Sequence, residues 1–221
     1  MRIGVCIPCY APHIPYLESC LNSIEQQTQK PAIVSISISS CTNNEQLPLA
    51  SDYSFSIVYT STILHQCAGK NRNVAAEAIV DQVDILSFFD ADDLMHPRRL
   101  EMLNKAFTAY KLDSCVHYFT KGTHADRIRL SMIHWQEPTK LVYTTGFTTG
   151  RDSVCGRVWW TGTPSARELG HCGHFSVKSS IWKSIKCVED WGMGEDSEHV
   201  WRVVTSGAVH GFLPSVLSMY I

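Results

Sequence analysis

Hydrophobic and polar positions change their spacing several times along the chain, and each spacing predicts an element. An apolar run over 2–7 predicts a buried strand that ends at Pro8. Across 13–28, Leu17, Cys20, Leu21 and Ile24 recur at three- and four-residue steps behind Pro15, as on one face of a helix. Over 32–39, Val34, Ile36 and Ile38 alternate with Ser35, Ser37 and Ser39, which predicts a half-buried strand. A loop over 39–48, a strand over 55–60 and a helix over 73–82 follow. Residues 84–89, which carry Ile85, Leu86, Phe88 and Phe89, read as an apolar strand, as in the middle of a parallel sheet. Pro97 then opens a helix whose Leu100, Leu103, Phe107 and Tyr110 stripe one face.

Alternating strands and helices through the first half predict right-handed βαβ units, hence an α/β fold with a mostly parallel central sheet and helices on both faces. The second half is less regular. Strands are expected over 115–120, 140–147, 208–213 and 215–220, helices over 179–185 and 194–207, and loops over 146–173. No linker, repeat or low-complexity run divides the 221 residues, so a single domain is expected.

Composition narrows the class. With 44% hydrophobic residues the chain can bury a core, and a formal net charge of −2 argues against a nucleic-acid partner. No apolar stretch approaches the length of a membrane span, and the N-terminal run is too short for a signal peptide. Nine scattered cysteines read as reduced thiols, which points to a cytoplasmic protein.

The strongest chemical signal is "ILSFFDADD", in which Asp90, Asp92 and Asp93 follow a buried strand directly. Ligands bind beyond the carboxyl ends of such strands. Carboxylates there can hold a divalent cation that also touches phosphate oxygens. Alternatively they are a solvated turn at the start of the next helix. Two other segments favour the cation. Lys70 and Arg72 in "GKNRNVAAEA" sit where a diphosphate would need cations at a helix start. Glu195 and Asp196 open a helix in "WGMGEDSEHVWRV", with Asp196 on the face of Val200 and Val203 and therefore aimed inward as a possible general base. Glu198 and Arg202, four apart, read as a solvated pair.

Together, "IGVCIPCY", "LESCLNSIEQQT", "GKNRNVAAEA", "ILSFFDADD" and "WGMGEDSEHVWRV" resemble the GT-A fold glycosyltransferases, most closely the inverting family-two-like group, over Ile3 to Leu213. The resemblance implies a nucleotide-binding half over about 1–120 and an acceptor-side half over about 121–221. It implies that Asp90 and Asp92 form the D-x-D that holds Mn²⁺ or Mg²⁺ on the donor diphosphate. Pro8 and Tyr10 would border the nucleotide base, Arg72 would contact the nucleotide, and His210 would be a third metal ligand. Asp196, beside Glu195, would be the catalytic base, and Trp191 would meet the acceptor. The implied reaction is non-processive transfer from a nucleotide-sugar, a UDP-sugar by the commonest case, to a hydroxyl of a glycan on protein or lipid, with inversion. The segment 39–44 lacks the family's acidic base-binding turn, and the processive Q-x-x-R-W signature is absent.

Other classes remain. A non-catalytic sugar-nucleotide or glycan-binding module would keep the fold without turnover. A haloacid-dehalogenase-like phosphatase also begins with D-x-D, but it expects Thr or Val where Leu94 stands. Cys6 and Cys9, with His171 and His174, could ligate zinc, although zinc-ligand sets are usually fuller.

Overall fold

The structure is a computed structural model that describes residues 1–42, 46–139, 148–151, 158–161, 172–191 and 194–221. Elements run in the order β1 (Ile3–Tyr10), α1 (Ile14–Glu25), β2 (Ile33–Ser39), β3 (Ser56–Ser61), α2 (Ala68–Glu77), β4 (Ile85–Phe88), β5 (Leu94–Met95), α3 (Arg99–Tyr110) and β6 (Ser114–Lys121). They continue through α4 (His124–Ile128), β7 (Thr148–Arg151), β8 (Val158–Thr161), β9 (Phe175–Lys178), α5 (Ser179–Ser184), α6 (Glu195–Thr205) and β10 (His210–Tyr220).

Eight strands form one sheet in the order β3-β2-β1-β4-β9-β6-β10-β5. The first four run parallel, β9 is antiparallel to both β4 and β6, and β5 is antiparallel to β10. Alternation along β1 sends Val5 and Ile7 to the layer that holds Leu17 and Leu21 of α1 and Leu103 of α3. Cys6 points the other way, toward Ala76 of α2, Trp182 of α5 and Val203 of α6. Gly4 permits close approach of the chain after α2, since a Cβ there would fall 2.6 Å from Ile79 Cδ1.

Several sequence expectations change. β1 does not stop at Pro8 but runs on to Tyr10. β4 pairs with it only as far as Cys6–Phe88, so at Pro8 the missing N–H faces an open edge while β2 continues on the other side. β2 is buried throughout rather than half-buried. Parallel neighbours flank it, and two of its serines face α2: Ser37 Oγ donates to Asn71 Oδ1 (3.2 Å), and Asn71 Nδ2 donates to Ser39 Oγ (2.9 Å). Serine alternation therefore marks a polar contact inside the protein, not a solvated face.

The expected strands over 208–213 and 215–220 are one strand, β10, whose register shifts around Pro214 and Val216 absorb the proline. Tyr110 is exposed, unlike the rest of its predicted stripe. Part of the expected loop over 146–173 is an antiparallel β7–β8 pair. The expected strand over 140–147 lies outside the described residues.

Candidate functional site

A pocket of about 410 Å³ opens at the carboxyl ends of β1 and β4. Pro8 and Tyr10 line one side, Asn71 and Arg72 of α2 the floor, and Asp90 and Asp92 another side. These residues converge because β1 and β4 are adjacent and parallel, and because α2 begins earlier than its sequence pattern suggests. Residues 69–72, expected just ahead of a helix starting at 73, lie in the first turns of α2. Helical phase then separates the two cations. Arg72 is buried against the acidic turn, while Lys70 is exposed and is not among the residues that line the pocket.

Arg72 is the hinge of the site's electrostatics. Its guanidinium gives Nη2 to Asp90 Oδ1 at 3.0 Å and Nη1 to Glu195 Oε1 at 2.7 Å, with only 4% of the side chain exposed. Such forked, charge-assisted contacts hold geometry as well as charge. Beneath the turn, the fully buried Arg99 donates to Ser87 Oγ (3.2 Å) and to the Phe88 carbonyl (2.8 Å) and lies over the Phe89 ring. Burial pulls its guanidinium down, against the opposing pull of Asp93 and Asp90.

The turn itself is tight, with Asp93 N–H donating to the Asp90 carbonyl at 3.2 Å. Burial first, and the Asp90 charge second, raise the Asp92 carboxyl, with His13 opposing them. Asp93 is raised by burial, then by Asp90 and Asp92, and accepts the Ile221 N–H at 3.2 Å. Arg127 of α4 crosses to donate from Nε (3.1 Å) and Nη2 (2.6 Å) to the Asp92 carbonyl, and its guanidinium lies 4.0 Å over the Tyr16 ring. The Asp92 carboxylate meets His13, with Oδ2 3.8 Å from Nδ1.

On the far side, Gly194 at φ +84° turns the chain into α6, a conformation that glycine adopts without strain. The structure corrects the phase expected for this helix. Glu195, not Asp196, is the more buried carboxylate and reaches Arg72; Asp196 is half-buried and caps the Ser197 N–H at 2.6 Å. Glu198 and Arg202 do pair, at 2.6 Å, but Glu198 is buried rather than solvated. Tyr220 joins the two sides. It lines the pocket, and its phenol is raised by burial and then by Asp93, Asp92, Asp90 and Asp196 in turn.

The segment leading to α6 is bolted to α2. Asn73 Oδ1 accepts the Cys187 N–H (3.0 Å), and its Nδ2 donates to the Cys187 carbonyl and to Glu189 Oε1 (both 2.9 Å). A Cβ on Gly69 would fall 2.1 Å from the Val188 carbonyl oxygen. Trp191, half-buried, ends this segment.

Residues 4–161 match the family described as Glycosyl transferase family 2. The chain belongs to that family. No curated protein matches the chain. Among solved structures, the family 2 chain is similar to S. aureus TarS 1–349 in complex with UDP, with TM-score 0.69, 14% identity, and coverage of 100% of this chain and 60% of that one. TarS 1–349 with UDP-GlcNAc gives TM-score 0.69 and 14% identity, covering 100% and 58%. Longer TarS gives 0.68 and 14%, covering 99% and 36%. The chain thus spans about 60% of the length of TarS 1–349. Its mixed, mostly parallel sheet with helices on both faces is the GT-A fold.

Two ligand expectations for this family 2 domain fail on geometry. His210 opens β10, buried beside Ser114 Oγ at 2.9 Å, with burial pushing its imidazole down to about 3. Tyr220, which borders the pocket, is ten residues further along the same strand, about 30 Å of extended chain. His210 is therefore at the wrong end of the sheet to meet the D-x-D. The zinc set fails as well, because Cys6 and Cys9 join hydrophobic layers on opposite faces of the sheet; His171 lies outside the described residues.

A hard divalent cation does fit the acidic turn. Among the described residues no group of three His, Cys, Asp or Glu could hold a metal by itself. The pocket instead presents Asp90 and Asp92 with an open side, the habit of Mg²⁺ and Mn²⁺ sites completed by substrate phosphates. No helix among the described residues is long and apolar enough to cross a membrane.

His13, Asn71, Arg127 and Tyr220 were not singled out from sequence. His13 alone had a local signal, as an imidazole three residues beyond Tyr10.

Proposed function

We propose that this family 2 chain is a non-processive glycosyltransferase that moves a sugar from a UDP-sugar to a glycan hydroxyl with inversion, using Mn²⁺ or Mg²⁺. One observation carries the reading: a single pocket beyond the parallel strands gathers Tyr10, Arg72, Asp90 and Asp92, while Glu195, which opens α6 beside Asp196, pairs with the Arg72 guanidinium. The TarS complexes with UDP and UDP-GlcNAc support the donor class.

Pro8 and Tyr10 border the base, and Asn71 anchors the pocket floor by donating to the Cys9 carbonyl at 3.3 Å. Asp90, gripped by Arg72, would face the ribose and diphosphate, and Asp92 would hold the cation. When bound, the cation offsets the negative charge that builds on the leaving diphosphate. Asp196, more exposed than Glu195, accepts the proton from the acceptor hydroxyl as that oxygen attacks the anomeric carbon opposite the diphosphate. Attack from the opposite face in one displacement inverts the centre. Glu195, held by Arg72, fixes the first turn of α6 and hence the direction of Asp196. Trp191 offers an apolar face to the acceptor glycan, on protein or lipid.

Calorimetric titration of UDP, GDP and dTDP, each with Mn²⁺ and with the metal chelated, tests the donor reading. Metal-dependent binding of UDP alone is expected. Binding without turnover across a panel of UDP-sugars would favour a non-catalytic module, and no metal-dependent binding would refute the donor site.

A further inference from the structure

We infer that His13 supplies a nitrogen ligand to the cation held by Asp92, in the place that sequence reasoning gave to His210. The inference rests on the metal-dependent donor reading of this pocket and adds a residue to it.

The geometry is a closed circuit of side chains around Asp92. His13 Nδ1 stands 3.8 Å from Asp92 Oδ2. That is too long for a hydrogen bond. Metal–ligand bonds of about 2.0–2.2 Å set neighbouring donors about 3.0–3.6 Å apart, so a small side-chain rotation brings both onto one ion. Aromatic rings flank His13. Its ring lies between those of Tyr10 and Tyr16, with centroids 6.1 and 5.9 Å away. Tyr16 carries the Arg127 guanidinium on its face, and Arg127 donates twice to the Asp92 carbonyl. Aspartate, arginine, tyrosine and histidine thus hold one another around the same turn, while His13 and Asp92 both open to the pocket. Pro12 ties His13 to the carboxyl end of β1 through a single helical turn at Ala11–His13. An imidazole in the donor set also favours Mn²⁺ over Mg²⁺.

The test is pulsed electron paramagnetic resonance on the protein with Mn²⁺ and UDP, reading nitrogen modulation at the metal. The wild type and His65→Ala should show modulation from one imidazole. His13→Ala and His13→Gln should lose it and weaken Mn²⁺ binding about tenfold or more. His13 is a partly exposed side chain, and the glutamine variant keeps its bulk without a ring nitrogen. Mn²⁺ and UDP bound without nitrogen modulation, or with modulation that survives in both His13 variants, would overturn the inference and leave the donor reading standing. Failure of UDP to bind with Mn²⁺ at all would remove the donor reading and the inference with it.

Discussion

Replacing Arg72 by methionine removes the cation that Asp90 and Glu195 share while keeping most of the side-chain volume. Arg72 is 4% exposed, and its partners' side chains are 15% and 9% exposed, so the two carboxylates are left with little water to replace it. Breaking a buried pair by deleting one member costs about 3–5 kcal/mol, because an uncompensated charge remains. That is a large share of the roughly 5–15 kcal/mol that holds a domain folded. At about 2–4 °C per kcal/mol for a chain of this size, the melting temperature should fall by about 6–20 °C. Lys183→Met supplies the control, since Lys183 and Asp81 are 51% and 82% exposed and such pairs contribute about 0–1 kcal/mol.

The assay is urea denaturation of the two variants, with Arg72→Met/Glu195→Gln as the double variant. Neutralising Glu195 should recover part of the loss. An Arg72→Met protein within about 1 kcal/mol of wild type at neutral pH would refute the view that this guanidinium organises the site.

Asp196→Asn should lower transfer by about 10² to 10⁴ while leaving metal-dependent UDP affinity unchanged, as checked by UDP release and calorimetry; equal losses in both would argue against a general base. Gly69→Ala should drive the Val188 carbonyl away and destabilise the protein by about 1–3 kcal/mol in thermal melts. Glu101 is held down at about 2, first by hydrogen bonds from Arg98 and then from Lys105. Its folded pKa lies below the unfolded value, so it stabilises above about pH 4.5 and that contribution fades as pH falls toward 2. Glu101→Gln should therefore be less stable than wild type at pH 6 and equal to it near pH 2.

The parts legible in sequence were those governed by local pattern. The apolar Ile85, Leu86, Phe88 and Phe89 marked β4 as central, and the abrupt change to Asp90 and Asp92 marked its carboxyl end. Family 2 membership and the GT-A fold agree with the resemblance carried by five short segments. Phase was harder. Reading α2 as starting near Asn73 made Lys70 and Arg72 equivalent, whereas a helix that begins at Ala68 buries one and exposes the other. At α6 the face of Val200 and Val203 was sound, but the inward turn at its start belongs to Glu195. His210 failed because a sequence shows that a histidine is in a strand, not which end of the sheet it occupies. Arg127 and Tyr220 reach the acidic turn from distant elements, and nothing in the spacing around them announces the meeting.

The stitch between Asp93 and the Ile221 N–H, 128 residues apart, has a consequence for folding order, as does the 123-residue span from Arg72 to Glu195. Loop closure over such separations is slow, and contacts of this kind delay folding. During synthesis the first four strands can pair long before β10 emerges. The acidic turn would then stand unbraced, with neither Tyr220 nor α6 against it. Competence to bind donor should accordingly appear late and abruptly, after the last strand has docked, and a chain arrested near residue 120 would carry the D-x-D without a finished pocket around it.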